Sequence, residues 1–423
     1  MKHFADICIV GAGIGGLYCA TQLAEAPACR GLSIRVFDLF DEVGGRIRSR
    51  VAASGPVVDM GAERFCPLRH PGVQRLMRRY GQTCVPYPFA AAHGDPSATR
   101  ALRALWRDLP ALRHGPFLAE LSRRHGRETA FAMIRALGYD ALLQPTVSTA
   151  MAHDIVGSHP ETQALAGLGG NRWFCAEAGL QRLMRAMQLH AQAAGIAFCL
   201  RHRLLAVTRT PRGYCLNLSD GHERAQTYEA RHVLLALPPS ALHLLNLDFP
   251  QAWGPARFGS LPLFKGFLFF DEPWWLARGL GDQMRVVDNP LRKVYFRGDR
   301  YLFFYTDSDS AGFWRSCLAD GEKCYQTTVR RHLADALGLA ATAIPPPNDY
   351  LQQYWSHGVE FTQPMGARPP LALQHADGGL IACSDAYTAQ GGWMEGSLQS
   401  ADEACRLLLA RLSETSRRVV IKQ

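Results

Sequence analysis

The chain has 423 residues, 48% of them hydrophobic, and a formal net charge of +9. A chain of this length can bury a large core and exceeds one compact domain, so we expect two intertwined domains. No apolar run approaches the ~18 residues that a membrane-spanning helix needs, and the twelve cysteines include no C-x-x-C pair, which argues against a zinc site and against a disulfide-stapled secreted scaffold. We therefore expect a cytoplasmic protein with reduced cysteines, no cleavable leader, no metal and no membrane contact.

Arginine supplies nearly all of the positive charge, because only five of the 46 basic residues are lysines. Thirteen arginines and four acids lie between Arg64 and Arg135. We interpret this stretch as a solvated surface. The alternatives are a docking face for a protein partner and a surface that attracts an anionic ligand. The arginines lack the interleaved aromatic residues of single-strand binders, so we expect no nucleic-acid partner.

The first predicted element is a short apolar strand at residues 7–10, which runs directly into a glycine cluster and a helix. Gly11, Gly13 and Gly16 have the G-x-G-x-x-G spacing, with Gly15 in the same turn. In this motif the first glycine allows a tight turn, the second lets the backbone approach a pyrophosphate, and the third lets the helix pack closely on the strand. The pattern predicts dinucleotide binding at the start of a helix.

A second strand, residues 32–37, ends at Asp38, where a carboxylate can accept hydrogen bonds from both ribose hydroxyls of an adenosine. Two consecutive glycines ending at Gly45 follow, and two glycines in a row let a backbone lie against a ligand. The guanidinium of Arg46 comes next, where it can meet phosphate or flavin oxygens. A hairpin turn is the alternative for these glycines alone.

Composition and periodicity divide this α/β chain into three parts. Residues 1–68, 176–239 and 375–415 form a discontinuous, Rossmann-like dinucleotide-binding domain. Residues 240–374 alternate as an antiparallel sheet would and form a second domain. Residues 69–175 have helical spacing and form a largely helical insertion.

Lys265 lies inside an apolar strand of the predicted antiparallel sheet. Arginine stays protonated in proteins, whereas a desolvated lysine can become neutral. A site that must hold a water or accept a proton would therefore use lysine at this position. A strand-edge lysine that reaches solvent is the alternative.

The last two predicted elements are a strand at residues 379–385, which ends at Asp385, and a long helix that begins near Trp393 and Met394. We expect this helix to end at about Leu412 and the polar tail beyond it to be frayed.

Together these stretches resemble the flavin-dependent amine oxidase family, which includes the L-amino-acid oxidases and monoamine oxidases. The resemblance covers nearly the whole chain and implies a glutathione-reductase-type FAD domain. It also implies that residues 240–374 form the substrate-binding domain and that the insertion, residues 69–175, covers the active site. Its marks are the Gly11 to Gly16 turn, Asp38, Val43-Gly44-Gly45-Arg46, Asp59-Met60-Gly61-Ala62, Lys265 followed by Pro273-Trp274-Trp275, and Gly392-Trp393-Met394-Glu395-Gly396.

The resemblance implies FAD as the cofactor. Monoamine oxidases attach their flavin through a cysteine, and residues 387–392 contain none, so noncovalent FAD is expected. Lys265 is implied to bridge through water to flavin N5, and the last helix to direct its N-terminus at the flavin C2 carbonyl. The implied cofactor contacts are Gly11, Gly13, Gly15, Gly16, Asp38, Gly45, Arg46, Gly61, Ala62, Arg64, Val207, Asp385, Trp393 and Met394.

The substrate residues also follow from the resemblance. Arg64 is implied to grip a substrate carboxylate, and Tyr305 to be its second donor, although a salt bridge with neighbouring Glu63 and a plain core tyrosine are the alternatives. Tyr139 and His159 are implied to line the pocket, and Trp393 to form one wall of an aromatic cage. The alternative for His159 is a structural histidine whose hydrogen bonds are made within the fold.

Longer strings, including residues 133–142, 259–267 and 301–308, resemble the L-tryptophan oxidases that open violacein biosynthesis. They imply oxidation of L-tryptophan by hydride transfer to flavin, reoxidation by O2, a loose homodimer and a downstream enzyme that takes the imine product. The alternatives are an amine oxidase, a desaturase or porphyrinogen oxidase of the same fold, and a flavin-free GTPase dissociation inhibitor.

Overall fold

The computed structural model describes residues 3–87, 90–93, 96–112, 115–165, 172–245, 247, 257–363 and 370–421. The strands are β1 His3–Val10, β2 Ile34–Phe37, β3 Ser49–Val51, β4 Val57–Asp59, β5 Arg64–Phe65, β6 Cys84–Pro86, β7 Ala90–His93, β8 Phe174–Ala176, β9 Ala197–Cys199, β10 Arg203–Thr210, β11 Gly213–Ser219, β12 Ala225–Leu235, β13 Phe258–Phe269, β14 Gln283–Val286, β15 Lys293–Arg297, β16 Tyr301–Asp307, β17 Asp349–Thr362, β18 Ala372–Gln374 and β19 Leu380–Cys383. The helices are α1 Ile14–Glu25, α2 Pro71–Arg79, α3 Pro96–Asp108, α4 Phe117–His125, α5 Arg127–Leu137, α6 Thr149–Ser158, α7 Pro160–Leu165, α8 Gln181–Ala193, α9 Pro239–Leu242, α10 Ser308–Ala319, α11 Glu322–Leu337 and α12 Met394–Ile421.

The first sheet is the predicted Rossmann-like element. It has eight strands, with β10-β11-β12-β1-β2-β9 in order and β19 and β18 beside β12. Strand β1 pairs in parallel with β2 and with β12, so the chain returns to the nucleotide-binding sheet after residue 225 as expected. The buried side chains of Ile7 and Ile9 on β1 share a core with α1, α8 and α12, and this core holds the carboxyl end of β1 against the start of α1.

The second sheet has six strands in the order β17-β13-β16-β15-β14-β7. It is antiparallel except where β14 pairs with β7. Side chains alternate between two buried faces, as the pleat of a strand requires. Phe264 and Phe304 lie on the face covered by α10 and α11, whereas Phe267 and Phe303 lie on the face toward the insertion helices. The antiparallel sheet was predicted, but α10 and α11 within it were not.

The predicted insertion consists mainly of α2 to α7. It is not entirely helical, because β6 pairs with β8 and β7 joins the edge of the second sheet. The short runs Cys84–Pro86 and Ala90–His93 have no helical periodicity to distinguish them from loops. Their partners lie far away in the chain, so strand pairing decides their conformation. The three domain boundaries themselves stay a prediction.

The last helix, α12, continues to Ile421, so the prediction of a frayed tail after residue 412 was wrong. Glu395 at its start is 4% exposed and accepts backbone hydrogen bonds from Gly72 and Val73, each at 3.0 Å. This carboxylate therefore caps α2 and ties the insertion to the last helix. In the described part of the chain, no helix is both long and apolar enough to span a bilayer.

Candidate active site

The turn between β1 and α1 has the geometry that its glycines predict. Gly11 has φ +102°, and a β-carbon placed on it would lie 2.3 Å from the carbonyl oxygen of Ala236. A β-carbon on Gly16 would lie 1.8 Å from the carbonyl oxygen of Gly11, so only glycine lets the helix approach the strand this closely. Gly13 forms the N-cap of α1 without a side-chain cap, which leaves backbone N–H groups at the helix start for a ligand.

Asp38 lies at the end of β2, beside this turn. Its Oδ2 accepts a hydrogen bond from the Ala12 N–H at 2.5 Å, and its Oδ1 accepts one from the Phe40 N–H at 2.8 Å. Burial raises the pKa of this carboxyl group, and the two backbone hydrogen bonds oppose that rise. Each carboxylate oxygen can accept a further hydrogen bond, so the residue can still receive ribose hydroxyls.

Arg46 and Asp385 meet where the two sheets face each other. The Arg46 guanidinium donates to Asp385 Oδ1 at 2.5 Å, and the other carboxylate oxygen accepts the Gly392 N–H at 2.9 Å. A β-carbon on Gly61 would lie 1.8 Å from the Arg46 carbonyl oxygen, so glycine is required there too. The pair fixes the loop before α12 against the turn that carries Gly45.

Lys265 is buried, and its side chain has three oxygen partners. Its Nζ donates to the carbonyl oxygens of Asp59 at 3.1 Å and Gly61 at 2.9 Å, and to Glu63 Oε2 at 2.9 Å. These contacts hold the side chain at the cavity wall. The role toward the flavin that the resemblance implies for Lys265 stays a prediction.

Glu63 belongs to a buried network at the cavity wall. It accepts hydrogen bonds from Lys265 and, at 3.0 Å, from the Tyr87 hydroxyl. Burial alone would raise its pKa, but Lys265, Arg297 and Arg64 together lower it. The carboxylate is therefore surrounded by cations, and its neighbour Arg64 is one of them.

The Arg64 side chain lies among aromatic rings. Its guanidinium carbon is 5.4 Å from the ring centroid of Tyr87 and 5.7 Å from that of Trp173, distances that suit cation–π contacts. Arg64 and Tyr305 line the same cavity. The structure thus brings the two residues of the expected carboxylate clamp to one space.

Tyr139, His159 and Trp393 form an aromatic cluster at this end of the cavity. The Tyr139 hydroxyl is 2.6 Å from His159 Nδ1, and the His159 and Trp393 rings cross at 5.0 Å between centroids. The Trp393 Nε1–H donates to Asp154 at 3.0 Å, and Arg69 donates to the other oxygen of the same carboxylate at 2.6 Å. The indole of Trp393 is therefore held in one orientation.

One cavity of about 1240 Å³ connects the glycine turn with this aromatic cluster. The predicted residues that line it are Gly11, Gly13, Gly15, Asp38, Gly45, Arg46, Gly61, Ala62, Arg64, Tyr139, His159, Lys265, Tyr305, Asp385, Trp393 and Met394. Gly16 and Val207 are not among the lining residues. Gly16 acts through helix packing, and the Val207 side chain is buried in the core between β10 and its neighbours.

These residues fit FAD. The glycine turn and the start of α1 suit a pyrophosphate, Asp38 suits a ribose, and the start of α12 reaches the far end of the same cavity. Cys383 also borders the cavity, and its thiol is one of the groups that raise the pKa of the buried Cys19 thiol. The noncovalent attachment stays a prediction.

Sequence reasoning missed Lys293, Asp307 and Asp154. In register, Lys293 of β15 pairs with Tyr305 of β16, which pairs with Lys265 of β13. Two of the five lysines therefore flank the predicted substrate tyrosine on one face of the sheet. A second lysine in an apolar strand was the available signal.

The fold and the cavity define a dinucleotide-binding flavoprotein oxidoreductase. Residues 97–409 match the family described as flavin containing amine oxidoreductase, and residues 9–80 match an NAD(P)-binding Rossmann-like domain. The chain belongs to the flavin-containing amine oxidoreductase family, and its cofactor is FAD.

Relatives and solved structures agree with this assignment. The chain is 22% identical to Aplysianin-A of Aplysia kurodai, over 94% of this chain and 89% of that protein. It is 22% identical to Achacin of Lissachatina fulica, over 94% of this chain and 92% of that protein. A cofactor-binding variant of putrescine oxidase has a similar fold, with a TM-score of 0.73, 16% identity and coverage of 97% and 100% of the two chains. Wild-type putrescine oxidase bound to putrescine has a TM-score of 0.72, 17% identity and coverage of 97% and 100%.

Proposed function

We propose that this protein is an FAD-dependent L-amino-acid oxidase that acts on L-tryptophan with O2 as the electron acceptor. The products are the imine of indole-3-pyruvate and hydrogen peroxide. The observation that carries the proposal is that a predicted carboxylate clamp, Arg64 and Tyr305, and an aromatic cluster line the cavity that leads to the cofactor turn.

One part of the proposed site binds the α-carboxylate of the substrate. The planar guanidinium of Arg64 can hold a carboxylate with two parallel hydrogen bonds, and the Tyr305 hydroxyl supplies another donor. Because Lys265 is already held by Glu63 and two carbonyl oxygens, it stays at the cavity wall and does not move toward the substrate. The guanidinium of Arg64 supplies the positive charge that favours a carboxylate at this end.

The side chain of the substrate then meets the aromatic cluster of Tyr139, His159 and Trp393. Offset and edge-to-face contacts between aromatic rings suit a flat indole. Because Asp154 fixes the Trp393 ring, the wall is rigid before the substrate arrives. Because the aromatic wall is preorganised, less conformational entropy is lost when the substrate binds.

A flavin held by the glycine turn, Asp38 and Arg46 would supply a two-electron acceptor for the hydride from Cα and would pass the electrons to O2, which gives hydrogen peroxide. The protein contributes position and protonation state. The clamp orients Cα, and the substrate ammonium loses a proton before the C–H bond breaks, so that the nitrogen lone pair can form the C=N bond. No strong protein base is required for this sequence.

The imine product hydrolyses in water unless another enzyme takes it. We therefore place the reaction at the first step of a violacein-type bisindole pigment pathway, followed by an enzyme that consumes the imine. A loose homodimer and a cytoplasmic location belong to the same proposal. They rest on the sequence resemblance.

An anaerobic titration of the purified holoenzyme with L-tryptophan tests the substrate. We expect the flavin absorbance to bleach promptly, to return on admission of air and to yield peroxide, with no response to D-tryptophan or tryptamine. A holoenzyme that stays yellow with L-tryptophan would disprove the substrate, and one that bleaches with tryptamine would make it an amine oxidase.

An Arg64→Gln variant extends the test to the clamp. We expect it to bind FAD but to need a far higher L-tryptophan concentration for bleaching. Arg78→Gln is the matched control, because Arg78 is exposed on α2. Equal behaviour of the two variants would remove Arg64 from the carboxylate site.

A further inference from the structure

Lys293 is a lysine buried under the substrate end of the cavity. Its side chain is 0% exposed, in a chain that has only five lysines. It lies on β15 directly opposite Tyr305 of β16, on the sheet face that carries Lys265. Arginine is too large and rigid to replace it without disturbing the packed rings around it.

The ammonium of Lys293 contacts the faces of two phenol rings. Its Nζ lies 3.0 Å from the ring centroid of Tyr139 and 4.4 Å from that of Tyr305. A β-carbon on Gly138 would lie 2.9 Å from the Cγ of Lys293, so the glycine before Tyr139 leaves the space that this side chain occupies. The local sequence is therefore built around the lysine.

Other charged groups balance one another around this position. Asp307 interacts electrostatically with Lys293, and its Oδ1 accepts the Ala141 N–H at 2.6 Å. Arg292 is paired with Asp140 at 3.0 Å. Burial raises the pKa of Asp307 to about 6, although Lys293 opposes that rise. Asp307 itself lines the cavity, and Lys293 reaches the cavity through its contacts with the rings of Tyr139 and Tyr305, which also line it.

We propose that Lys293 is a specificity-determining cation that makes the hydroxyls of Tyr139 and Tyr305 stronger hydrogen-bond donors and so favours substrates that carry a carboxylate. A cation on the face of a phenol ring stabilises negative charge on that ring, which makes the hydroxyl more acidic. Tyr305 then donates more strongly to the substrate carboxylate, and the Tyr139 hydroxyl is hydrogen-bonded to His159 Nδ1. Lys293 is thus a positioning residue that acts through the tyrosines.

This inference rests on the proposed function and deepens it, because it states why the site takes amino acids rather than amines. A simple amine has no acceptor for the Tyr305 hydroxyl and gains nothing from a more acidic phenol. An amino acid gains a stronger charge-assisted hydrogen bond. The discrimination therefore depends on the ligand's carboxylate.

The test uses a Lys293→Met variant of the holoenzyme and two probes, indole-3-propionate and tryptamine, which carry only the carboxylate and only the amine. Binding is followed through the spectrum of the oxidised flavin. We expect indole-3-propionate to bind about 10-fold more weakly, the change that a hydrogen bond to a charged group supports, and tryptamine to change less than about 2-fold. Lys323→Met, on the exposed surface of α11, is the matched control.

If Lys293 had only a structural role, its replacement would weaken the binding of both probes alike, and that result would overturn the proposal. A Tyr305→Phe background gives a second check. If Lys293 acts through the Tyr305 hydroxyl, most of the loss of indole-3-propionate affinity should disappear in that background. A loss of the same size with and without the hydroxyl would also overturn it.

Removing the lysine alone leaves the Asp307 carboxylate without its cation and could prevent folding. A Lys293→Met/Asp307→Asn variant removes both charges and is compared with Asp307→Asn. The proposal requires weaker indole-3-propionate binding in the double variant, and equal binding refutes it. Failure of the proposed function looks different, since the wild-type holoenzyme would then not be reduced by L-tryptophan at all.

Discussion

Replacing Glu63 with glutamine tests the buried network that holds Lys265. The Lys265 and Glu63 side chains are 7% and 12% exposed, with 2.9 Å between Nζ and Oε2. Removing one partner of a buried ion pair typically costs about 3–5 kcal/mol. Glutamine keeps one oxygen for the lysine, so we expect the free energy of unfolding to fall by about 3 kcal/mol, the lower end of that range.

The pH dependence of this loss gives the sharper test. Because its neighbours lower the pKa of Glu63, the ionised carboxylate stabilises the fold fully above its unfolded pKa of about 4.3. That stabilisation is lost as the pH falls through the still lower folded value. The difference between wild type and Glu63→Gln should therefore be constant from about pH 8 to pH 5 and shrink below about pH 4.3.

Urea unfolding of the holoenzyme across this pH range measures both quantities. Glu414→Gln, at an exposed position of α12, is the control and should leave the unfolding free energy within about 0.5 kcal/mol of wild type. Equal stability of Glu63→Gln and wild type at pH 7, or a difference that persists undiminished at low pH, would refute the buried network.

Three further changes test other parts of the site. Arg64→Lys should lower kcat/KM for L-tryptophan about 10- to 100-fold, because a lysine cannot form the paired hydrogen bonds of a guanidinium; steady-state peroxide production measures this. Gly16→Ala should abolish FAD binding, since its β-carbon would lie 1.8 Å from a backbone oxygen; the ratio of flavin to protein absorbance reports it. Gly157→Ala, in the helix α6 with open space around it, should retain FAD. Glu395→Ala should lower the free energy of unfolding by about 2–4 kcal/mol, because two buried N–H groups lose their acceptor; thermal or urea unfolding checks it.

A wild-type kcat/KM for Arg64→Lys would contradict the carboxylate clamp. A yellow Gly16→Ala protein would show that the β1–α1 turn can relax. A normally stable Glu395→Ala protein would mean that water replaces the carboxylate at the start of α2.

The cofactor end of the site was predictable because its signals are local. The signals are glycines at the end of one strand and an acidic residue at the end of the next. Both lie within about one βαβ unit, so they can be recognised from the local sequence. Gly11 and Gly16 have the close approaches that their spacing predicts. The parallel pairing of β1 with β12 was also predictable, since the last apolar residues of β12 form a fully buried strand pattern.

The substrate end was less predictable because its chemistry depends on contacts across long stretches of chain. The sequence placed Lys265 in an apolar strand, but its carboxylate partner Glu63 lies 202 positions away and could not be inferred locally. The cation under Tyr305 required the register of β15 with β16, which the sequence does not encode locally. Val207 followed from the family likeness alone, and its side chain lies in the core.

The two ends of the cavity are built on different sheets, and this has a consequence for engineering. The glycine turn, Asp38 and Asp385 follow strands of the first sheet, whereas Lys265, Tyr305 and Lys293 lie on strands of the second, mainly antiparallel sheet. Each sheet has its own core, so changes on the antiparallel face need not disturb the packing under the cofactor. A library confined to β13, β15 and β16 can therefore vary the preferred substrate while FAD loading serves as a constant check on folding.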